Sequence, residues 1–361
     1  MTSVLGELAV PIVQAPMAGG PSTPALAAAV SNAGGLGFVA AGYKTAVAMR
    51  EDIARTRAAT ARPFGANVFV PGRRTADPAA VAAYAERLAA QAERAGVALG
   101  TPAFDDDAFD AKLAALQDER VAVVSFTFGC PPADVVDDLQ RIGTAVWVTV
   151  TDVEEARAAE DAGADALVVQ GVEAGGHRGS FVDRDDRVDY GLLALLELVS
   201  AQVALPLVAT GAIATGEAVA AVLVAGAAAA QVGTAFMRCP EAATAAAHRA
   251  ALASGRPTGL TRAFSGRLAR GIVNRLQAEH TSAAPIAYPE IHHLTAPLRA
   301  HGRSVGDPDL VNLWAGQTHE LAQDAPAAQI VARLDRDARR AIADAERKLR
   351  RRGVTDPWDL I

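Results

Sequence analysis

Only two cysteines, Cys130 and Cys239, occur in 361 residues, and neither has a partner at ligand spacing. Isolated thiols of this kind provide no disulfide framework and no structural metal site, so no metal is expected and a reducing compartment fits. Positive charge is also sparse. Lys and Arg total 34 against 41 Asp and Glu, for a net charge of −7, and the basic residues are scattered until the last helical stretch. Neither a nucleic-acid surface nor a polybasic membrane patch is expected from that pattern. Long apolar runs are missing too: none reaches the roughly 18 residues that cross a bilayer, and no Lys or Arg precedes an apolar core at the N-terminus. The longest, Ala218 to Ala230, reads as an alanine-rich helix entering a strand. The expectation is a cytoplasmic protein without a membrane anchor. No internal repeat, low-complexity linker or separate dinucleotide fingerprint is present.

Apolar residues are abundant, at 51% of the chain, enough for a large core. They fall into eight strand-like runs: Pro11–Pro16, Leu36–Gly42, Phe64–Val70, Val121–Gly129, Thr144–Val150, Ala166–Gly171, Pro206–Gly211 and Ala229–Phe236. Between them lie segments of helical period such as Ser22–Ala33, Pro78–Ala95, Asp152–Ala162, Tyr190–Gln202 and Thr215–Ala225. Alternation of this kind predicts a parallel sheet buried on both faces, and the count of eight predicts closure into an α/β (β/α)8 TIM barrel. An open doubly wound sheet is the alternative, but its phosphate glycines would follow the first strand, whereas here they come late. Ser22 with Pro24 marks one helix start, and Asp152 with Glu155 reads as a capping box. Asp105, Asp106 and Asp107 read as a solvated helix head. The stretch 240–304 breaks the rhythm with Gly, Pro and His. It is expected to form a small, mainly helical inserted lobe over the barrel mouth, with residues 1–239 and 305–361 as the barrel. The terminal Arg350, Arg351 and Arg352 suit a helix C-terminus.

Active sites of such barrels sit where strands end, with phosphate commonly held by the last two turns. Those turns carry Gly211 and Ala212, then Gln231, Val232, Gly233 and Thr234. The first strand ends in Ala15, Pro16 and Met17, a suitable wall for a flat ring. Asn67 and Gln170 are amides in otherwise apolar runs and need polar partners, which a heterocycle edge would supply. The sixth run feeds the loop Gly171–Gly179, which holds Gly175, Gly176 and the titratable His177. Glu173, Arg178, Cys130, Tyr288, His292, His293 and Trp314 are weaker candidates.

QAPMAG at 14–19, GGLGF at 34–38, GANVFV at 65–70, QGVEAGGHRG at 170–179, ATGAIATG at 209–216 and AAQVGTAF at 229–236 together resemble the nitronate monooxygenases. More broadly they resemble FMN-dependent barrels that include an enoyl-ACP reductase and an NADH:quinone reductase. The resemblance implies FMN bound by Ala15, Pro16, Met17, Asn67, Gln170, Gly175, Gly176, Gly211, Ala212, Gln231, Val232, Gly233 and Thr234, with His177 catalytic. Relatives often have Gly-Gly where Gly211-Ala212 stands, which Ala212 tolerates unless its φ is positive. The implied reaction is oxidation of alkyl nitronates, such as propionate 3-nitronate, with O2 to a carbonyl compound and nitrite. His177 would act either as a base toward a nitroalkane or, protonated, as an electrostatic anchor for its anion. An FMN-dependent NAD(P)H reductase and a non-catalytic flavin-binding partner are the alternatives, and a homodimer is compatible with either.

Overall fold

The computed structural model describes residues 4–73 and 76–351. Arg352 and the side chain of Arg351 lie outside the described residues, while Arg350 pairs with Glu346 one turn back. Eleven strands and twelve α-helices follow in chain order. The strands are β1 (Ile12–Gln14), β2 (Gly37–Ala40), β3 (Phe64–Phe69), β4 (Val123–Thr127), β5 (Ala145–Val150), β6 (Ala166–Gln170), β7 (Gly176–His177), β8 (Leu207–Thr210), β9 (Ala229–Val232), β10 (Thr258–Thr261) and β11 (Ala269–Ile272). The helices are α1 (Pro24–Asn32), α2 (Ala46–Ala59), α3 (Pro78–Ala95), α4 (Phe109–Glu119), α5 (Ala133–Arg141), α6 (Val153–Asp161), α7 (Leu192–Ser200), α8 (Gly216–Val224), α9 (Ala246–Leu252), α10 (Arg275–His280), α11 (Glu290–Val305) and α12 (Ala327–Arg351).

Eight parallel strands form a nearly closed barrel in the order β1-β9-β8-β6-β5-β4-β3-β2. The seam between β1 and β2 carries only the parallel bridge Val13–Leu36, with Gln14 N donating to Leu36 O (2.8 Å) and Leu36 N to Ile12 O (3.0 Å). Strand periodicity of two sends alternate residues inward. Toward the N-terminal ends the inward positions are Val13, Phe38, Val123, Trp147, Ala166, Val168, Val208 and Ala229, which form one buried apolar cluster. The Phe38 and Trp147 rings pack 5.8 Å apart. Gly65 gives way to them, since a Cβ there would come within 2.3 Å of the Phe38 ring. One inward position further along, the same strands present Asn67, Ser125, Thr149, Gln170, Thr210 and Gln231, all buried. The barrel therefore has an apolar floor and a polar cup at its C-terminal end.

Capping follows simple chemistry, with three departures from expectation. Thr23, not Ser22, caps α1, accepting from Leu26 N at 3.0 Å. Ser22 instead accepts from Met17 N (2.8 Å) and Gln14 Nε2 (3.0 Å). Asp152 caps α6 through Glu155 N, but the Glu155 carboxylate turns to Thr151 and to Phe181 N rather than closing a reciprocal box. Of the three aspartates before α4, Asp107 is not solvated: it pairs with fully buried Lys112 at 2.6 Å and accepts from Tyr43 N at 2.9 Å.

The stretch 240–304 contains helices α9 and α10 and most of α11, and also the hairpin β10–β11, whose inner strand pairs antiparallel with β7. Tyr84 of α3 donates to Ala263 O at 2.8 Å, anchoring this stretch to the long excursion after β3. The chain then returns, and α12 packs on α8 and α1 through Ala327, Ile330, Val331, Leu334 and Ala338, all buried. Among the described residues no helix is long and apolar enough to cross a membrane, and no cluster of side chains is set to hold a metal ion.

Gln14 sits beside the seam with its Oε1 accepting from Phe38 N at 2.9 Å. Gln14→Leu strands that amide, while the Ser22 hydroxyl keeps its bond from Met17 N. Urea unfolding is expected to show a loss of about 1–3 kcal/mol, the cost of one orphaned buried group.

Candidate active site

A cavity of about 450 Å3 opens above the polar cup. Its wall brings together Ala15, Pro16, Met17, Asn67, Gln170, Gly175, Gly176, His177, Gly211, Ala212, Gln231, Gly233 and Thr234. Val232 is the exception and a correction. Strand parity turns it outward from its neighbour Gln231, so its side chain is fully buried in the strand–helix core.

Several roles differ from those expected of them. The amide of Gln170 is satisfied within the protein: Oε1 accepts from Gly179 N (2.8 Å) and Arg178 Nη1 (2.9 Å), and Nε2 donates to His177 O (3.1 Å). It ties the end of β6 to the loop that carries His177. Asn67 directs Nδ2 at Ser125 O, Ser125 Oγ and Thr127 Oγ1, each at 3.0 Å. Because a carbonyl can only accept, this orientation leaves Oδ1 as the group available to a ligand. Gly175 is needed for close approach of another segment, since a Cβ there would meet the Ala315 and Gly316 backbone at 2.4 Å. Ala212 does adopt a positive φ of 51°, a left-handed conformation in which a glycine would carry less strain. Thr318 Oγ1 donates to its carbonyl at 2.6 Å, bracing that turn from outside.

The turns after β8 and β9 are adjacent because those strands pair. The amides of Gly211, Ala212, Gly233 and Thr234 donate to no acceptor among the described residues. Backbone N–H groups converging this way form an anion cradle. Thr234 Oγ1 accepts from Gly316 N at 3.0 Å, which leaves its hydroxyl proton to donate.

His177 Nε2 lies 2.8 Å from Ser265 Oγ, and that hydroxyl also lies 3.2 Å from Arg267 O, so the ring is held by a group that can either donate to it or accept from it. Phe128, Tyr288 and Trp314 surround the ring with centroids 5.4–5.8 Å away. Phe128 adopts a left-handed φ of 77°, a strained conformation for an aromatic residue of the kind found at functional sites, and Arg267 lies over its other side at 4.0 Å. Burial, followed by the Arg267 and Arg299 charges, pushes the His177 pKa from 6.5 down to about 3. It is therefore neutral at physiological pH.

Of the weaker candidates, His292 and Trp314 line the cavity, and Tyr288 touches both His177 and His292. His293 points instead to Asp105. Glu173 accepts from Leu192 N at the start of α7, and buried Arg178 braces Gln170 and the Gly171 carbonyl. The Cys130 thiol is pushed up to about 11 by burial, which removes it as a nucleophile. Sequence reasoning missed Tyr43, Phe128, Ser265, Arg267 and Arg299. The one available signal was helical spacing, since His292, Ala296, Arg299 and Arg303 recur at four, three and four residues and share one face.

Burial lowers His248 and His292 as well, to about 4 and about 2. Below pH 6.5 the unfolded chain binds protons that these three rings refuse in the folded state, so stability rises with pH across that range and levels off above it. Between pH 7.5 and 5.5 the loss is expected to be about 4 kcal/mol for the three together, or roughly 1.4 kcal/mol each. Thermal unfolding across that range checks this, and a flat profile contradicts it.

A sequence profile of the nitronate monooxygenase family matches residues 2–337. Nitronate monooxygenases of Paraburkholderia phytofirmans and Pseudomonas aeruginosa are each 42% identical. The first aligns over 92% of this chain and 93% of its own length, the second over 91% and 96%. Among solved structures, the nitroalkane oxidase of Streptomyces ansochromogenes superposes with a TM-score of 0.92 at 50% identity, covering 95% of this chain and all of the other. FabK from Thermotoga maritima superposes at 0.74 with 26% identity, covering 95% and 96%. With a polar cup, an anion cradle and a buried neutral histidine around one cavity, and relatives matched almost end to end, the chain belongs to the nitronate monooxygenase family of flavin enzymes.

Proposed function

We propose that this protein is an FMN-dependent enzyme that oxidises alkyl nitronates with O2, yielding a carbonyl compound and nitrite. The observation that carries this reading is His177, neutral and hydrogen-bonded to Ser265, in the wall of a cavity whose other walls fit the cofactor. The amides of Gly211, Ala212, Gly233 and Thr234 would hold the phosphate. Ala15, Pro16 and Met17 would back the ring system, with Asn67 Oδ1 and the Gln231 amide as its polar partners. When bound, the flavin supplies the redox chemistry.

The chain's own groups set the protonation chemistry. The unprotonated nitrogen of His177 can accept a proton from the carbon next to a nitro group, but an imidazole with so low a pKa is a weak base at neutral pH. Binding an anion nearby offsets the Arg267 and Arg299 charges and strengthens it. The preformed nitronate is therefore the better substrate, entering as an anion toward a cavity with guanidinium groups in and behind its wall. The stretch 240–304 supplies Phe264, Ser265, His292, Arg299 and Arg303 to that wall, which makes it the substrate-side lobe.

Purified FMN-loaded protein in air is expected to release nitrite from propyl 1-nitronate at least tenfold faster than from neutral 1-nitropropane at pH 7. His177→Asn should lower kcat/KM for neutral 1-nitropropane, the substrate that must lose a proton, by about 100-fold or more while leaving the flavin spectrum in place. Fast anaerobic bleaching by NADH without nitrite release from any nitronate would instead establish the reductase. Gly175→Ala pushes against the Ala315–Gly316 backbone that braces Thr234. Fluorescence titration should show FMN affinity lowered by about tenfold, equivalent to about 1.4 kcal/mol.

A further inference from the structure

Lys112 of α4 is fully buried and lies outside the cavity wall. Its Nζ has one partner among the described residues, Asp107 Oδ2 at 2.6 Å. Burial raises the Asp107 pKa and lowers that of Lys112, so the surroundings favour neither charge. A buried pair of this kind is a poor source of net stability, but it does hold a carboxylate in one place. The other oxygen, Asp107 Oδ1, accepts from Tyr43 N at 2.9 Å. Three non-glycine residues at this contact are left-handed: Tyr43 at φ 65°, and Asp107 and Ala108 at 54°. For a bulky side chain such a backbone is an outlier that its surroundings must enforce. The segment is also tied to α11, since Asp107 N donates to Asp105 Oδ1 (2.9 Å), Asp105 pairs with His293, and Gly100 N donates to Leu294 O (2.9 Å).

Tyr43 lines the cavity and stacks on His292, with 4.3 Å between centroids and 5° between planes. Its ring also meets Phe69 at 5.5 Å, Phe69 meets Phe128 at 4.6 Å, and Phe128 meets His177 at 5.8 Å. The backbone of Tyr43 therefore sets one end of a ring wall that runs to the histidine. Without an acceptor on its amide, Tyr43 would relax toward the ordinary negative-φ regions and carry its ring off His292.

Resting on the nitronate reading above for its kinetic consequence, we propose that Asp107, held by Lys112, is a positioning residue that fixes Tyr43 in its left-handed conformation and so sets the Tyr43–His292 wall of the cavity. Two double variants of the FMN-loaded protein separate this role from the ion pair itself. Asp107→Asn with Lys112→Met removes both charges but keeps a side-chain carbonyl to accept from Tyr43 N. Asp107→Gly with Lys112→Met removes both charges and the acceptor, and glycine carries the left-handed φ at 107 without strain. Neither leaves a lone buried charge. The stack is read from the His292 ring signal in proton–carbon NMR spectra of histidine-labelled protein, since a ring lying face-on over another shields its protons. His292→Gln assigns the signal, and Tyr43→Leu gives its unstacked position.

The Asp107→Asn pair is expected to keep the wild-type His292 position and a KM for propyl 1-nitronate close to wild type. The Asp107→Gly pair should move His292 to the Tyr43→Leu position and raise KM by about tenfold, in line with the loss of one hydrogen bond, with kcat changed less. In a Tyr43→Leu background the two pairs should share one KM, because coupling vanishes once either partner is gone. Matching His292 positions in the two pairs overturn the proposal, and so does an equal KM with Tyr43 present, because Asp107 and Lys112 would then serve stability alone. Hydrogen exchange on the wild type needs no variant to fold: a slow Tyr43 amide supports the bond to Asp107, and an unprotected one overturns it. Should no nitronate release nitrite, the nitronate reading falls, while a His292 shift confined to the Asp107→Gly pair still supports the positioning role.

Discussion

The structure depends on a change of polarity along the inward face of eight short strands. Val123, Trp147, Val168, Val208 and Ala229 close the barrel below, and Ser125, Thr149, Gln170, Thr210 and Gln231 follow two residues later. Because side chains alternate across a strand, that step of two keeps both sets in the same interior. The apolar set supplies burial, while the polar set must find partners or a ligand. Asn67 and Gln170 show the outcome. Most of their hydrogen-bonding capacity is met by the protein, and Asn67 Oδ1 and the Gln231 amide remain toward the cavity.

The loop after β6 is rigid for reasons that lie largely outside it. Gln170 holds the His177 carbonyl, Arg178 holds Gln170 and Gly171, and β11 pairs with β7. Ser265, just before β11, then holds the His177 ring, and Arg267 lowers its basicity. One stretch thus both clamps the loop that carries His177 and sets the Arg267 and Arg299 charges against that ring.

Much of this was legible in the chain. Eight apolar runs alternating with helical periods indicated the barrel, and the turns at 211 and 233 fell where a phosphate site belongs. Legibility failed where a role depends on a partner distant in sequence. Gly175 reads as a ligand-contacting glycine and does line the cavity, but the second need for a glycine there, close approach of residues 315–316, is invisible in the chain. Asp107 reads as a solvated helix head but is drawn inward by Lys112. Val232 was placed with its neighbours although strand parity turns it to the core.

The sequence by itself determined the class of fold, the position of the late turns and the presence of one histidine in a glycine-rich loop, because periodicity and turn chemistry are local properties. Only tertiary structure decided that Ser265 holds the His177 ring, that the ring stays neutral, and that Arg299 reaches the same cavity without a carboxylate partner among the described residues. Desolvation and charge coupling arise from atoms brought together across more than eighty residues of chain, and no local pattern encodes that proximity.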